Sequence, residues 1–216
     1  MTPARLLLIA AIIAGVSYIG SWFLDLPPAA SVVWKGAGVV LLAAYAASQA
    51  RGLDGWLLTV VLGFGALGDV LLETHGLVVG ALAFLAGHLT AIGLYLRNRE
   101  QNLSARHLAL GLTIIPVVTV TAFLLPPDRA GAGLIALYAL GLAAMAATAW
   151  ISRFPRSLVA AGALMFVVSD LLIFLRTGRP GLDVFPMALA VWGLYFTGQV
   201  LIAVGVTRTL AALRNR

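Results

Sequence analysis

The chain has 216 residues; 62% of them are hydrophobic, only 10% are charged, and the formal net charge is +6. A soluble domain carries about 25% charged residues, so this chain cannot cover a water-facing surface with polar groups. The composition therefore excludes a soluble globular protein. It predicts an all-α membrane protein in which residues 1–216 form a single integral membrane helical bundle.

Eight mostly apolar stretches follow one another along the chain, each of roughly the 20 residues that a helix needs to cross a bilayer. In chain order they lie near residues 5–24, 31–50, 54–73, 77–97, 107–125, 131–151, 157–175 and 185–207. Short segments with turn-forming or charged residues separate them. Because the connections are short, we expect successive helices to be antiparallel neighbours in an eight-helix bundle.

The basic residues lie at the ends of these stretches, where they set the orientation of the chain and meet anionic lipid headgroups. With the N-terminus in the cytoplasm, the cytoplasmic ends carry ten basic residues: Arg5, Arg51, Arg97, Arg99, Arg106, Arg153, Arg156, Arg208, Arg214 and Arg216. The opposite side carries four: Lys35, Arg129, Arg176 and Arg179. This bias predicts that both termini are cytoplasmic. No basic domain is present to dock on a polyanion, so no nucleic acid partner is expected.

Two short sequence echoes are about a hundred residues apart, which is the length of four spans. Gly68-Asp69-Val70-Leu71-Leu72 is similar to Ser169-Asp170-Leu171-Leu172, and Gly93-Leu94-Tyr95 recurs as Gly193-Leu194-Tyr195. The echoes favour a four-plus-four parallel internal repeat. Chance similarity is the alternative, because short matches of Gly and Leu are common in apolar sequence.

Asp69 and Asp170 are carboxylates inside predicted spans, where a charged side chain costs about 2.5–3.5 kcal/mol on insertion scales. Both lie four or five residues before the outer end of an outward-running span, which is roughly 6–8 Å below the boundary at about 1.5 Å per residue. Lys35 lies at a similar depth in the second span, and Glu73 is one turn after Asp69 on the same face. We therefore expect these side chains to meet in one layer of the outer leaflet.

The functional interpretation of this layer is a buried acidic site that handles protons, since ionisable groups inside a membrane usually mark function. The structural alternative is that Lys35 neutralises one aspartate while the other accepts hydrogen bonds from helix hydroxyls. His75 and His107 are at span ends on opposite sides of the membrane, so they cannot join His88 on one metal ion. The chain also has no cysteine, and neither a metal nor another cofactor is expected.

Four further polar residues inside the spans are candidates for contacts with a substrate. His88 lies near the middle of the fourth span, and Tyr195 and Gln199 are one turn apart in the eighth. For these three residues the alternative is hydrogen bonding between helices. Ser169 precedes Asp170, and its alternative role is to bond only to backbone.

Taken in order, these motifs resemble the YhhN family: Gly68-Asp69 followed by leucines, then Gly80, Phe84 and Gly87-His88, then Phe166 and Ser169-Asp170, then Tyr195 and Gln199, with Lys35 in the second span. The family consists of lysoplasmalogenase-like membrane hydrolases with eight predicted spans, and the resemblance covers nearly the whole chain. One position departs from its pattern, because Ala91 stands where the family usually places an aromatic residue, three positions after the histidine.

The resemblance implies hydrolysis of the vinyl ether bond of a lysoplasmalogen, giving a fatty aldehyde and glycerophospho-ethanolamine or -choline. Such a reaction begins with protonation of an alkene carbon and forms an oxocarbenium ion, so it calls for an acid and a carboxylate. On this interpretation Asp69 and Asp170 share the acid and base roles, and His88 assists proton transfer or orients water. The implied substrate-binding residues are Lys35, which would meet the lipid phosphate, Tyr195 and Gln199, which would meet the glycerol oxygens, and Glu73 and Ser169.

Two other functions also fit these residues. A proton-coupled transporter or lipid flippase would use the pair of intramembrane aspartates, and discontinuous helices near the midplane would support it. A lipid-binding or scaffold protein would retain lipid and tolerate replacement of Asp69. The expected partners are a lysophospholipid or other single-chain lipid and the membrane lipids, and the sequence carries no signal for an oligomeric state.

Overall fold

The computed structural model describes residues 2–214, and their regular structure is helical. The helices in chain order are α1 (Pro3–Ser21), α2 (Pro28–Gln49), α3 (Leu53–His75), α4 (Leu77–Arg97), α5 (Ala105–Leu124), α6 (Ala132–Ile151), α7 (Ala161–Arg176) and α8 (Phe185–Arg214). A π-helical turn (Arg156–Ala160) leads directly into α7. With that turn counted as part of α7, all eight helices are long and apolar enough to cross a membrane. The predicted class, an all-α membrane protein with eight spans, is confirmed.

The helix ends differ from the prediction mainly in α1 and α8. α1 ends at Ser21, because the N–H groups of the next residues bond to carbonyls three positions back and so tighten the chain out of the α-helix. α8 continues to Arg214 instead of ending near residue 207. Hydropathy measures how far a helix stays apolar rather than how far it stays helical, so the polar end of α8 was not predicted.

By its internal contacts the described chain forms two compact units. The first unit comprises the chain up to Leu94 together with the part from Val206 onwards, and the second unit comprises Tyr95–Gly205. The single domain over residues 1–216, the internal repeat and the orientation in the membrane stay predictions. Arg216, one of the residues on which the predicted orientation rests, lies outside the described residues.

In the first unit, glycine brings neighbouring helices against α3. A Cβ atom on Gly36 of α2 would lie 3.2 Å from the side chain of Val70, and one on Gly80 of α4 would lie 2.8 Å from the backbone of Leu72. Small residues are typical of helix contacts in membranes, since they let backbones approach closely. The two contacts hold α3 against α2 and α4 just after Asp69, at the next residue and at the third residue beyond it.

In the second unit, glycine sets the contact between α7 and α8. A Cβ atom on Gly162 would lie 2.6 Å from the carbonyl oxygen of Gly198, and one on Gly198 would lie 2.6 Å from the carbonyl oxygen of Gly162. Towards the other end of α7, Phe174 packs in a buried cluster with Ala122 of α5 and Ala139 of α6. These contacts hold α7, the helix that carries Asp170, against three other helices.

Candidate functional site

The first unit contains a cluster of three ionisable side chains, which we name the ion-pair cluster: Lys35, Asp69 and Glu73. Lys35 Nζ donates to Glu73 Oε1 at 2.6 Å, and the Lys35 side chain is 11% exposed against 44% for Glu73. Asp69 is buried, and its carboxylate is close enough to Lys35 to interact with it electrostatically. One ammonium group therefore serves two carboxylates, and the cluster carries one net negative charge when all three groups are ionised.

The local sequence explains how this cluster forms. Asp69 and Glu73 are four residues apart in α3, so they lie on the same face of that helix. Lys35 comes from α2, and the adjacent Gly36 lets α2 approach α3 closely at Val70. The predicted meeting of Lys35 with the carboxylates of α3 therefore has a geometric basis, with Glu73 rather than an aspartate as the hydrogen-bond partner.

His88 is buried in α4. The preceding residue, Gly87, would place a Cβ atom 3.2 Å from Phe64 of α3, so α4 lies close to α3 at this level. Phe84, one turn before His88, lies against Gly68 of α3, whose Cβ would be 2.8 Å from the Phe84 ring. The glycines of the quoted motifs thus serve close packing of α3 and α4, which fixes the backbone that carries Asp69 and His88.

The second unit holds the other aspartate by a different kind of contact. The hydroxyl of Tyr138, in α6, donates a hydrogen bond of 2.6 Å to Asp170 Oδ2. The Tyr138 ring packs edge-on against Phe174, with ring centroids 5.9 Å apart. Sequence reasoning missed Tyr138. The depth argument that singled out Lys35 could have found it, because Tyr138 is the seventh residue of a span that begins on the same predicted side of the membrane.

The remaining predicted residues of the second unit take part in packing of α7 and α8. Ser169 Oγ donates to the carbonyl oxygen of Val191 at 2.9 Å, which corresponds to the backbone-bonding alternative. The Tyr195 ring packs edge-on against Phe166 with centroids 5.0 Å apart. Gln199 is buried one turn further along α8.

Within their units, the structure thus brings together Lys35, Asp69 and Glu73 in one cluster and Asp170 with Tyr138 in another. The grouping of all the predicted residues in one site stays a prediction. Over residues 2–214, no three side chains of the His, Cys, Asp or Glu types are arranged so that they could hold a metal ion.

The apolar helices and the buried ionisable groups define the class of the protein: it is a polytopic α-helical membrane protein with acidic sites inside its spans. The sequence model of the YhhN family matches residues 30–206. The chain belongs to the YhhN family.

Two curated relatives are similar to most of the chain. Each is called lysoplasmalogenase, one from Mycobacterium bovis and one from Mycobacterium tuberculosis. Each is 32% identical to this chain over 183 residues, which cover 80% of this chain and 68% of the relative. No solved structure gives a significant match.

Proposed function

We propose that this protein is a membrane-embedded hydrolase that cleaves the vinyl ether bond of lysoplasmalogens. The products would be a fatty aldehyde and glycerophospho-ethanolamine or -choline. The similarity to two proteins named lysoplasmalogenase supports an enzyme of this kind. The structural observation that carries the proposal is the burial of Asp69 and Asp170 inside spans, each beside a polar partner, within the residues that match the family.

The chemistry explains why two carboxyl groups would be needed. An acid transfers a proton to the alkene carbon next to the ether-bearing carbon, which leaves an oxocarbenium ion on the latter. Water then adds to that carbon and gives its proton to a base, forming a hemiacetal. The hemiacetal hydroxyl then gives its proton to a base and becomes the aldehyde carbonyl as the C–O bond to glycerol breaks. The glycerol oxygen takes a proton from an acid, and the aldehyde leaves. A carboxylate near the oxocarbenium ion would stabilise its positive charge in the low-dielectric interior.

We assign the acid and base roles to Asp69 and Asp170, with His88 as the group that assists proton transfer or orients the water. Tyr195 and Gln199 would contact the glycerol oxygens, and Ser169 would help to hold this part of α7. These assignments rest on residue chemistry and burial.

The headgroup would be bound at the ion-pair cluster. Glu73 lies two residues before the end of α3 and is partly exposed, which is the position of a lipid headgroup rather than of its chain. For Lys35 to bind the lipid phosphate, its ammonium group would have to share or exchange its bond to Glu73. Both residues would then contribute to substrate binding, and their replacement would act on KM more than on kcat.

The experiment that tests the hydrolase is aldehyde release from an alkenyl-lysophospholipid by the purified protein. Asp69→Asn and Asp170→Asn should each lower kcat/KM by about 10²- to 10⁴-fold, the usual contribution of general acid–base catalysis. Asp25→Asn is the matched control, because Asp25 is an exposed aspartate in the α1–α2 connection.

Each outcome of this experiment has a clear meaning. Full activity in both aspartate variants would overturn the acid–base assignment. If the wild-type protein released no aldehyde from any alkenyl lipid, the substrate would be wrong. Movement of lipid across proteoliposomes without any product would favour the transporter or flippase instead.

We also propose that both termini are cytoplasmic, so that the ion-pair cluster is nearer the outer side. The chain has no cysteine, so it already is a cysteine-free background into which single cysteines can be introduced. Ala130→Cys in the α5–α6 connection and Asn102→Cys in the α4–α5 connection are both at exposed positions. In right-side-out vesicles a membrane-impermeant maleimide should label the first and not the second, and the reverse pattern would invert the orientation.

A further inference from the structure

The contact between Tyr138 and Asp170 joins two helices through one short hydrogen bond. The phenol oxygen lies 2.6 Å from Asp170 Oδ2, at the short end of the range for O–H···O bonds. Tyr138 comes from α6 and Asp170 from α7, and the tyrosine belongs to none of the motifs described above. A carboxyl group inside a span needs a partner, and here the partner is an uncharged hydroxyl.

The surroundings leave both side chains little freedom. The Tyr138 ring packs edge-on against Phe174, which belongs to the buried cluster with Ala122 and Ala139. Ser169 directly precedes Asp170, and its hydroxyl donates a hydrogen bond to a backbone carbonyl oxygen of α8. The donor and the backbone of the acceptor are therefore both fixed by contacts that do not involve the carboxyl group itself.

We propose that Tyr138 is the positioning residue of Asp170: its hydroxyl holds Oδ2 and so makes Oδ1 the oxygen that exchanges the proton during hydrolysis. The inference rests on the proposed function. In the reaction Asp170 Oδ1 either gives a proton to the substrate or takes one from water. The O–H bond of Tyr138 stays intact throughout, because the hydroxyl only donates a hydrogen bond.

A hydrogen-bond donor of this kind suits a proton-transfer group for two reasons. A phenol O–H can donate to an oxygen of the ionised carboxylate and also to the carbonyl oxygen of the protonated acid. The bond is therefore kept in both states of the catalytic cycle. A carboxyl group held at one oxygen also keeps a defined direction for the other, and misplacement of a reacting group by about 1 Å can cost roughly 10²-fold in rate.

The test is Tyr138→Phe, which removes the hydroxyl and keeps the ring against Phe174. We expect kcat for aldehyde release to fall by about 10- to 100-fold, the range for loss of a hydrogen bond to a charged group, while KM stays unchanged. Tyr95→Phe is the matched control: Tyr95 is also buried in the second unit, but its hydroxyl has no hydrogen-bond partner among the described residues. It should leave kcat and KM unchanged.

A second readout separates positioning from a purely structural role. The carboxyl stretching band of Asp170, assigned by its loss in Asp170→Asn, should shift in the infrared spectrum of Tyr138→Phe and not in that of Tyr95→Phe. Gel filtration and thermal unfolding in detergent show whether Tyr138→Phe is folded.

The outcomes distinguish this inference from the proposed function. The positioning role is supported if the Tyr138→Phe protein is folded, its Asp170 carboxyl band is shifted and its kcat is lowered. An active wild-type protein with an equally active Tyr138→Phe variant, or an unshifted band, overturns it and leaves the hydrolase proposal standing. A Tyr138→Phe variant with a raised KM and an unchanged kcat also overturns the inference, because Tyr138 would then be a binding residue. A wild-type protein that cleaves no alkenyl lipid contradicts the proposed function instead.

Discussion

Each of the two units of this protein has one aspartate at an equivalent position in a helix, but the groups that interact with the two aspartates differ. Asp69 lies six residues before the end of α3 at His75, and Asp170 lies six residues before the end of α7 at Arg176. In the first unit, Asp69 belongs to a cluster with one ammonium group and a second carboxylate. In the second unit, Asp170 accepts a hydrogen bond from the uncharged hydroxyl of Tyr138.

The two sites therefore differ in how strongly their stability depends on the charge of each group. In the ion-pair cluster, removal of the ammonium group takes away the positive charge that both carboxylates interact with at low dielectric, and such losses cost more than the pair itself contributes. A phenol hydroxyl can serve either protonation state of its carboxyl partner, so the second site tolerates a change of charge. Substitutions in the two units test this difference between the acidic sites.

The largest expected effect concerns the packing that holds the two aspartate-bearing helices. Gly162→Ala would place a methyl group 2.6 Å from a backbone carbonyl oxygen of α8, and a backbone atom cannot move aside as a side chain can. We expect a loss of about 3 kcal/mol in the free energy of unfolding, at the upper end for overpacking. Denaturing-detergent titration in mixed micelles measures it.

Gly80→Ala is the counterpart in the first unit, because its methyl group would meet the backbone of α3 at 2.8 Å. It should cost a similar amount. Gly193→Ala, which meets nothing within 4 Å, is the control and should be neutral or stabilise the protein by up to about 1 kcal/mol. If Gly162→Ala and Gly193→Ala had equal effects, the close contact of α7 with α8 would be wrong.

The next largest effect compares the two acidic sites directly. Lys35→Met removes the ammonium group and leaves Glu73 and Asp69 to repel each other, so we expect a loss of about 2 kcal/mol. This is less than for a fully buried pair, because the Glu73 side chain is 44% exposed and partly screened by solvent. Tyr138→Phe removes only an uncharged donor and should cost about 1 kcal/mol.

Free energies of unfolding for the two variants, measured under the same conditions, give the comparison. The Lys35→Met, Glu73→Gln double variant should recover part of the loss, because it removes one of the two like-charged carboxylates of the cluster. A Tyr138→Phe protein less stable than Lys35→Met would reverse the ranking and contradict the distinction between the sites.

The fold was largely predictable from the sequence because a bilayer imposes its own length and polarity on each span. All eight spans were found from apolar runs and from the charges between them. Two features were not predicted: α8 stays helical beyond its apolar part, and a π-helical turn precedes α7. Hydropathy reports neither feature, since both depend on backbone hydrogen bonds rather than on side-chain polarity.

The candidate site was predictable in its charged residues but not in its uncharged hydrogen-bond donor. A charged residue in a span is conspicuous by its cost, so Asp69, Asp170 and Lys35 were found from their positions within the apolar stretches. Tyr138 was not, because a tyrosine in an apolar helix costs little and has no pattern of its own. The pairing of Lys35 with Glu73 also depended on the close approach of α2 to α3 at Gly36, which a residue count along each helix does not give.

A smaller effect tests whether the end of α8 belongs to the first unit. The hydroxyls of Tyr45 in α2 and Thr207 in α8 are hydrogen-bonded at 2.9 Å, and both residues are buried. Tyr45→Phe and Thr207→Val should each cost about 1 kcal/mol, and the double variant should cost less than their sum because one lost bond is counted twice. A double-mutant cycle measures the coupling, and strictly additive losses would mean that this bond does not form.

The smallest expected effect has the opposite sign and uses the same chemical change as the test of Tyr138. The Tyr95 ring packs edge-on against Phe154 at 6.1 Å, which a phenylalanine keeps, whereas its buried hydroxyl has no hydrogen-bond partner among the described residues. Burial of an unsatisfied polar group costs free energy, so Tyr95→Phe should stabilise the protein by about 0.5 kcal/mol or more.

Thermal unfolding of Tyr95→Phe beside Tyr138→Phe gives the sign of each change without the need for an absolute scale. A loss of stability in both variants would mean that the Tyr95 hydroxyl is satisfied, for example by a buried water molecule. A gain for Tyr95→Phe with a loss for Tyr138→Phe would show that two tyrosines of one unit differ by the partner of a single hydroxyl. That difference is the one on which the role of Asp170 depends, since the ring contacts are of the same kind at both positions.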